Sequence, residues 1–138
     1  MTINSEMDKI NVVPRIPLLL RIISIIILVE GVLGFLFFMA AGLFQLSDTN
    51  FVGFSGLNGL TPNFYSFYII LHIALFSGFI LSGIFMLKLK KKGYYLFIIN
   101  YLILTGFGIY LNDVFVWTTI IVGLGFIAVL TYYFKKMF

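Results

Sequence analysis

The chain alternates between long apolar runs and short polar segments. Four long stretches carry no Asp, Glu, Lys or Arg apart from Glu30 and, near the start of the first stretch, Arg21, and their side chains are mostly Ile, Leu, Phe and Val. A helix needs about 20 apolar residues to cross the hydrocarbon core of a membrane, and each stretch has that length. The pattern therefore predicts four transmembrane helices, near residues 18–46, 64–87, 94–111 and 114–134.

Helices are predicted for these runs because open strands would leave backbone groups unpaired in lipid. Barrel strands require alternating apolar and polar residues, and runs such as IISIIILV do not alternate. Pro17 and Pro62 suit helix starts, where a missing N–H costs little. The fold class is an all-α integral membrane protein, with residues 1–138 forming one four-helix bundle. The loop 47–63 is expected to rest on the membrane surface, with a short re-entrant segment as the alternative.

The basic residues predict the orientation of the bundle. They fall before the first span, between the second and third spans, and after the fourth. With four spans these three segments lie on one side, which the positive-inside rule makes cytoplasmic. We therefore expect cytoplasmic N- and C-termini in a cell membrane, and the residue usage favours a bacterial cytoplasmic membrane. The residues are Lys9, Arg15, Arg21, Lys88, Lys90, Lys91, Lys92, Lys135 and Lys136.

Composition narrows the function classes. The 138 residues are 62% hydrophobic and 10% charged, against roughly 25% charged residues in soluble domains. A disordered chain and a disulfide scaffold are excluded, because the chain is too apolar for the first and has no cysteine. The net charge of +4 is accounted for by topology and not by a nucleic-acid surface. The lipid bilayer is the expected partner, and no metal or cofactor site is predicted.

Glu30 is the first candidate for chemistry. It lies nine residues after Arg21, about 13 Å into the membrane at 1.5 Å per residue. An ionisable side chain at that depth costs at least roughly 2.5 kcal/mol, so it is expected to face protein or water. Two interpretations stay open: a proton- or cation-binding site, or a neutral Glu that hydrogen-bonds across the bundle.

His72 and Asn100 are the other polar candidates inside the spans. Asn100 lies at the predicted depth of Glu30, which makes the two a candidate buried pair, with simple helix–helix hydrogen bonding as the alternative. His72 lies roughly 9 Å nearer the outer side than Glu30, counted at 1.5 Å per residue. A lone histidine does not build a metal site, so a neutral imidazole bonded to a hydroxyl or a backbone carbonyl is favoured.

Small residues at helical spacing predict close helix contacts. On the second span they form a row in which Gly78→Leu is expected to separate helices and Gly78→Ala to be mild. Similar roles are expected for small residues on the first span and for the glycines of spans three and four. The predicted packing residues are Gly34, Ala41, Ala74, Gly78 and Ser82, with Gly106, Gly108, Gly123 and Gly125 added for the last two spans.

The sequence carries no recognisable catalytic set, so an enzyme is not expected. The leading hypothesis is a structural or accessory membrane subunit, either as a homo-oligomer or within a larger complex. The alternative is a small proton- or cation-coupled transporter that uses Glu30. The segment LVEGVLG around Glu30, in the first of four spans, resembles the mid-membrane Glu of small multidrug-resistance transporters. The long outer loop and the one-sided basic charge depart from that family's pattern.

Overall fold

The computed structural model describes residues 16–45, 62–110 and 116–137 of the chain. These residues form four α-helices and a terminal 3₁₀ turn, which spans Phe134–Lys136. Each helix is long and apolar enough to cross a membrane. The helices are α1 (Leu18–Gln45), α2 (Pro62–Leu87), α3 (Lys91–Tyr110) and α4 (Val116–Tyr133).

The helix bounds agree with the predicted spans to within three residues wherever the chain is described. The helix α2 begins at Pro62, two residues before the prediction, and α3 begins at Lys91, three residues before it. Both helices start earlier because polar residues suit a first turn that lies outside the apolar core. The rest of the predicted loop 47–63 lies outside the described residues, as do the first 15 residues and the turn at 111–115.

Large apolar side chains point away from the bundle on every helix. Examples are Leu33 at 64% exposed, Ile70 at 66% and Ile121 at 70%. Water would penalise this surface heavily, whereas lipid tails are as apolar as the side chains themselves. The exposure pattern therefore fits a chain whose solvent is a bilayer.

The contact between α1 and α2 is the most extensive in the bundle, and glycines make it close. A Cβ added at Gly31 would lie 2.8 Å from the backbone nitrogen of Ile80. On the facing helix, a Cβ at Gly83 would lie 2.8 Å from the Cβ of Leu28. Because neither glycine carries a side chain, the two backbones approach each other directly.

A tight turn joins α2 to α3. Leu89 adopts the left-handed conformation with φ 54°, and the N–H of Lys90 donates to the Phe85 carbonyl at 2.9 Å. The N–H of Leu89 donates to the Met86 carbonyl at 2.9 Å, which completes a Schellman cap. Glycine is usual at this position because a side chain is strained there. Here the Leu89 side chain is buried, and that burial offsets the strain.

Two side-chain hydrogen bonds attach α4 to α3. The Tyr101 hydroxyl donates to the Ile120 carbonyl at 2.9 Å. Near the other end of α4, the hydroxyls of Tyr94 and Thr131 are 2.9 Å apart. The Tyr101 ring also lies directly on Gly123, where any side chain would overlap it. Aromatic residues of α3 therefore determine where α4 sits.

The described basic residues gather at one end of the bundle, which we call the basic end. The turn after α2 and the C-terminal 3₁₀ turn meet there, with the Lys91 ammonium 5.6 Å from the centre of the Phe134 ring. Leu20 of α1 belongs to the same buried cluster as Met86 and Met137, so α1 starts at this end. The other end of the bundle is called the far end. The basic-end residues are Arg21, Lys88, Lys90, Lys91, Lys92, Lys135 and Lys136.

Candidate intramembrane site

A cleft of about 180 Å³ lies between the helices, halfway along the bundle. Glu30 of α1 and Phe79 of α2 line one side. The opposite side comes from α3 and α4, with Tyr101 and Phe126 among the lining residues. At roughly 30 Å³ for each water, the volume holds about six water molecules. It is smaller than the ~300–1,000 Å³ of sites that take drug-sized ligands.

Among the described residues, Glu30 is the only acidic one. Its side chain lines the cleft and is exposed there. It is the thirteenth residue of α1, about 18 Å from the start of the helix at 1.5 Å per residue. None of the described residues hydrogen-bonds or ion-pairs with its carboxyl. The carboxyl therefore faces the cleft, where it can bind a proton or a cation.

Asn100 lies at the same level of the bundle as Glu30 but does not pair with it. Its amide is buried against Gly78, at the interface between α2 and α3. The Asn100 Nδ2 atom has no hydrogen-bond partner among the described residues. The expected Glu30–Asn100 pair is therefore not formed, because equal depth along two helices does not make two side chains point toward each other.

His72 sits in a separate aromatic cluster, away from the cleft. Its Nδ1 donates to the Tyr68 carbonyl, one helical turn earlier, at 2.9 Å. The imidazole stacks on Phe38 with the ring centres 4.5 Å apart. This arrangement is one of those expected for a histidine with a structural role, and the structure does not bring His72 to Glu30.

The row of small residues on α2 is only partly in contact with another helix. Gly78 faces Asn100, and the hydroxyl of Ser82 donates to the Gly93 carbonyl of α3 at 2.8 Å. Ala74, the third member of the row, is exposed. Small side chains permit close approach without enforcing it, so the spacing alone did not show where the interface ends.

For Gly78→Ala to be mild, as expected, the Asn100 side chain has to give way. A Cβ at Gly78 would lie 2.7 Å from the Cγ of Asn100 and would overlap the rest of the amide. The methyl group of alanine therefore requires Asn100 to move. The sequence could not show this because it did not reveal which side chain of α3 covers the glycine.

The small residues of α1 lie against α2. Ala41 is 2% exposed and belongs to a buried cluster with Tyr68 and Ile69. Gly34 lies beneath the ring of Phe76, which would overlap any side chain at that position. On the other two helices the expectation is only partly met, because a Cβ at Gly106 or Gly125 would meet nothing within 4 Å.

Sequence reasoning missed two threonines of the site. Thr118 and Thr119 lie in the first turn of α4 and line the same cleft as Glu30. They were overlooked because a hydroxyl is common in transmembrane helices and can bond to its own backbone. No periodicity in the sequence indicates that α4 turns this pair toward α1.

No protein-family model, no curated protein and no solved structure matches this chain.

Proposed function

We propose that the chain is a small multi-pass membrane protein that binds a proton or a small cation at Glu30 and moves it across the membrane. One observation carries the proposal: Glu30 lines a cleft of about 180 Å³, and its carboxyl has no hydrogen-bond partner among the described residues. A carboxyl with a purely structural role at this depth is expected to have a partner, since an unpaired ionisable group within a membrane is costly.

The surroundings of Glu30 support a hydrated site. Ionisable residues within membranes usually face a bundle interior or a water-filled cavity, because contact with lipid costs at least roughly 2.5 kcal/mol. The hydroxyls of Thr118 and Thr119 add polar surface to the cleft. Water in this space would solvate the carboxyl in either protonation state.

The test compares wild-type protein with Glu30→Gln in proteoliposomes. Glutamine keeps the shape and most hydrogen bonds of glutamic acid but cannot titrate. The expected result is loss of flux driven by a pH gradient or a cation gradient, with helical content and oligomer size unchanged. Ser77→Ala is the matched control, because the Ser77 hydroxyl bonds to the Ile73 carbonyl of its own helix and lies outside the cleft. Flux that is equal in Glu30→Gln and wild type contradicts the proposal.

The second candidate is a structural or accessory subunit without an enzymatic activity, acting as a homo-oligomer or in a larger complex. The observation in its favour is the exposure of α4, where Trp117 is 72% exposed and the apolar side chains of Ile121 and Leu124 also face outward. Under this function Glu30→Gln and Glu30→Leu are both tolerated, because the Glu30 carboxyl has no partner among the described residues to lose. Oligomer size in detergent and co-purification of a partner would separate the two functions.

The proposed location is a cell membrane, with a bacterial cytoplasmic membrane as the proposed case. The basic end would face the cytoplasm, since Lys and Arg concentrate in cytoplasmic segments. The aromatic residues Tyr95 and Tyr132, both exposed near that end, would lie at the membrane interface. A cysteine at Lys136 should be labelled from the cytoplasmic side and one at Tyr110 from the other. The opposite pattern contradicts the orientation.

A further inference from the structure

The cleft at Glu30 is not symmetric along the bundle. On α3 its lining runs from Phe97 through Tyr101 to Leu104, and residue numbers on α3 increase toward the far end. On α4 it reaches Thr118 and Thr119, which lie in the first turn of the helix. The cleft therefore extends from the level of Glu30 toward the far end, away from the lysines.

Toward the basic end the cleft meets a packed apolar layer. Phe79 is 3% exposed and its ring lies 5.7 Å from that of Phe97, centre to centre. Below these rings Ile27, Met86 and Leu130 are completely buried in one cluster. Interiors packed in this way leave few gaps large enough for water. A path from Glu30 to the basic end is closed in this structure.

We propose that Thr118 and Thr119 belong to the Glu30 site and that the cleft is a one-sided proton-uptake path, filled with water and entered from the far end. The inference rests on the proposed function and adds the ligand, the direction of access and two further residues. A threonine hydroxyl donates one hydrogen bond and accepts others, so each can hold a water in line between the far end and the carboxyl. About six waters are enough to span the cleft.

The proton is the ligand that best fits the groups present. Ca²⁺ and Mg²⁺ take about six or more oxygen ligands, whereas the cleft offers one carboxyl and a few hydroxyls. In the uptake step an O–H bond forms at a Glu30 carboxylate oxygen while an O–H bond of a hydronium ion breaks and leaves water. No other reactant is consumed, and the charge of the proton neutralises the carboxylate.

The other groups around the cleft do not compete for that proton. Tyr101 of α3 is the second titratable side chain in the lining, and its hydroxyl donates to the Ile120 carbonyl. The helix α2 contributes Phe79, which does not titrate. The charged groups of the basic end lie beyond the packed apolar layer, about 13 Å from Glu30 in the case of Arg21, at 1.5 Å per residue along α1.

Cysteine accessibility tests the direction of access, and the natural chain has no cysteine to interfere. Single cysteines are placed at Glu30, Thr118 and Ile27 in full-length protein that is reconstituted with known orientation. A membrane-impermeant thiol reagent should label positions 30 and 118 several-fold faster from the far end than from the basic end. The completely buried position 27, one turn from Glu30, is the control and should stay unlabelled from both ends. Faster labelling from the basic end, or labelling at 118 without labelling at 30, overturns the proposal.

A second measurement keeps Glu30 in place, so that folding of the Glu30 variant does not limit the test. Infrared difference spectroscopy on protein that retains Glu30 follows the band of the protonated Glu30 carboxyl. The band is assigned by its absence in Glu30→Gln. We expect a pH change at the far end to alter this band and Thr118→Val with Thr119→Val to slow the response several-fold, while Ser77→Ala has no effect. An unchanged response in the double variant contradicts the role of the threonines.

The two proposals fail in different ways. If positions 30 and 118 are labelled from the far end but no flux depends on Glu30, the uptake path stands and the transport function is wrong. If flux depends on Glu30 but labelling is faster from the basic end, the transport function stands and the proposed uptake path is wrong.

Discussion

The replacement of Gly31 by alanine tests a close backbone contact between α1 and α2. The new Cβ would lie 2.8 Å from the Ile80 nitrogen and 3.2 Å from the Phe76 carbonyl oxygen. Favourable non-bonded contacts of a carbon atom begin at about 3.5 Å, so an added carbon needs about 0.7 Å more space from the Ile80 nitrogen. Backbone atoms of a helix cannot rotate away as a side chain can. The helices α1 and α2 must therefore separate.

The size of the effect follows from two opposing contributions. Overpacking a close contact typically costs about 1–3 kcal/mol. Alanine also favours the helix over glycine by about 1 kcal/mol, which partly hides that cost. Gly106→Ala is the matched control, since a Cβ at Gly106 meets nothing within 4 Å and gains the same helix preference. The free energies of unfolding of the two variants should therefore differ by about 1–3 kcal/mol.

The assay is reversible unfolding in mixed micelles, followed by circular dichroism and by the fluorescence of the single Trp117. Gly106→Ala should unfold at the same denaturant concentration as wild type or a higher one, and Gly31→Ala at a lower one. Gly31→Val, with two further methyl groups, should be the least stable. Equal stability of Gly31→Ala and Gly106→Ala would show that α1 and α2 do not approach each other as closely as the contact at Ile80 indicates.

Three further predictions concern the contacts around α3, each measured by the same unfolding assay. Gly78→Ala should cost about 1–3 kcal/mol because it overlaps the Asn100 amide, and adding Asn100→Ala should recover most of that loss in a double-mutant cycle. Ser82→Ala should cost about 0.6 kcal/mol through loss of the hydrogen bond to the Gly93 carbonyl, and no loss would mean that the bond contributes nothing. Leu89→Ala should be less stable than Leu89→Gly, because both lose the buried side chain but only glycine relieves about 1–2 kcal/mol of left-handed backbone strain; the reverse order contradicts the strain.

The four long helices were predictable because the length of the apolar runs indicates them. The starts at Leu18 and Pro62 follow from proline, and both were visible in the sequence. Which faces meet was harder to predict, because the helices are apolar all round and show no single buried stripe. Gly31 and Gly83 were therefore not singled out, although they let the backbones of α1 and α2 approach closely.

The candidate site was predictable in part for a similar reason. Glu30 stood out because a carboxyl in an apolar run is costly. Its surroundings depend on the rotation of α4, which Tyr101 determines through Gly123 and the Ile120 carbonyl. Those contacts connect residues about 20 positions apart and leave no local pattern. The sequence therefore suggested Asn100 as the partner of Glu30, whereas the structure places Thr118 across the cleft.

An uptake path that is entered only from the far end, as proposed above, would also make proton binding sensitive to voltage. A charge that crosses the whole membrane exchanges about 2.3 kcal/mol per 100 mV with the membrane potential. Water in the cleft would carry the proton roughly half of that distance, so occupancy of Glu30 would change by about 1 kcal/mol per 100 mV. With the basic end in the cytoplasm and the interior negative, the potential draws the proton inward. The remaining half of the membrane potential would then fall across the packed layer beneath Phe79 and Phe97. An opening of that layer would release the proton to the basic end.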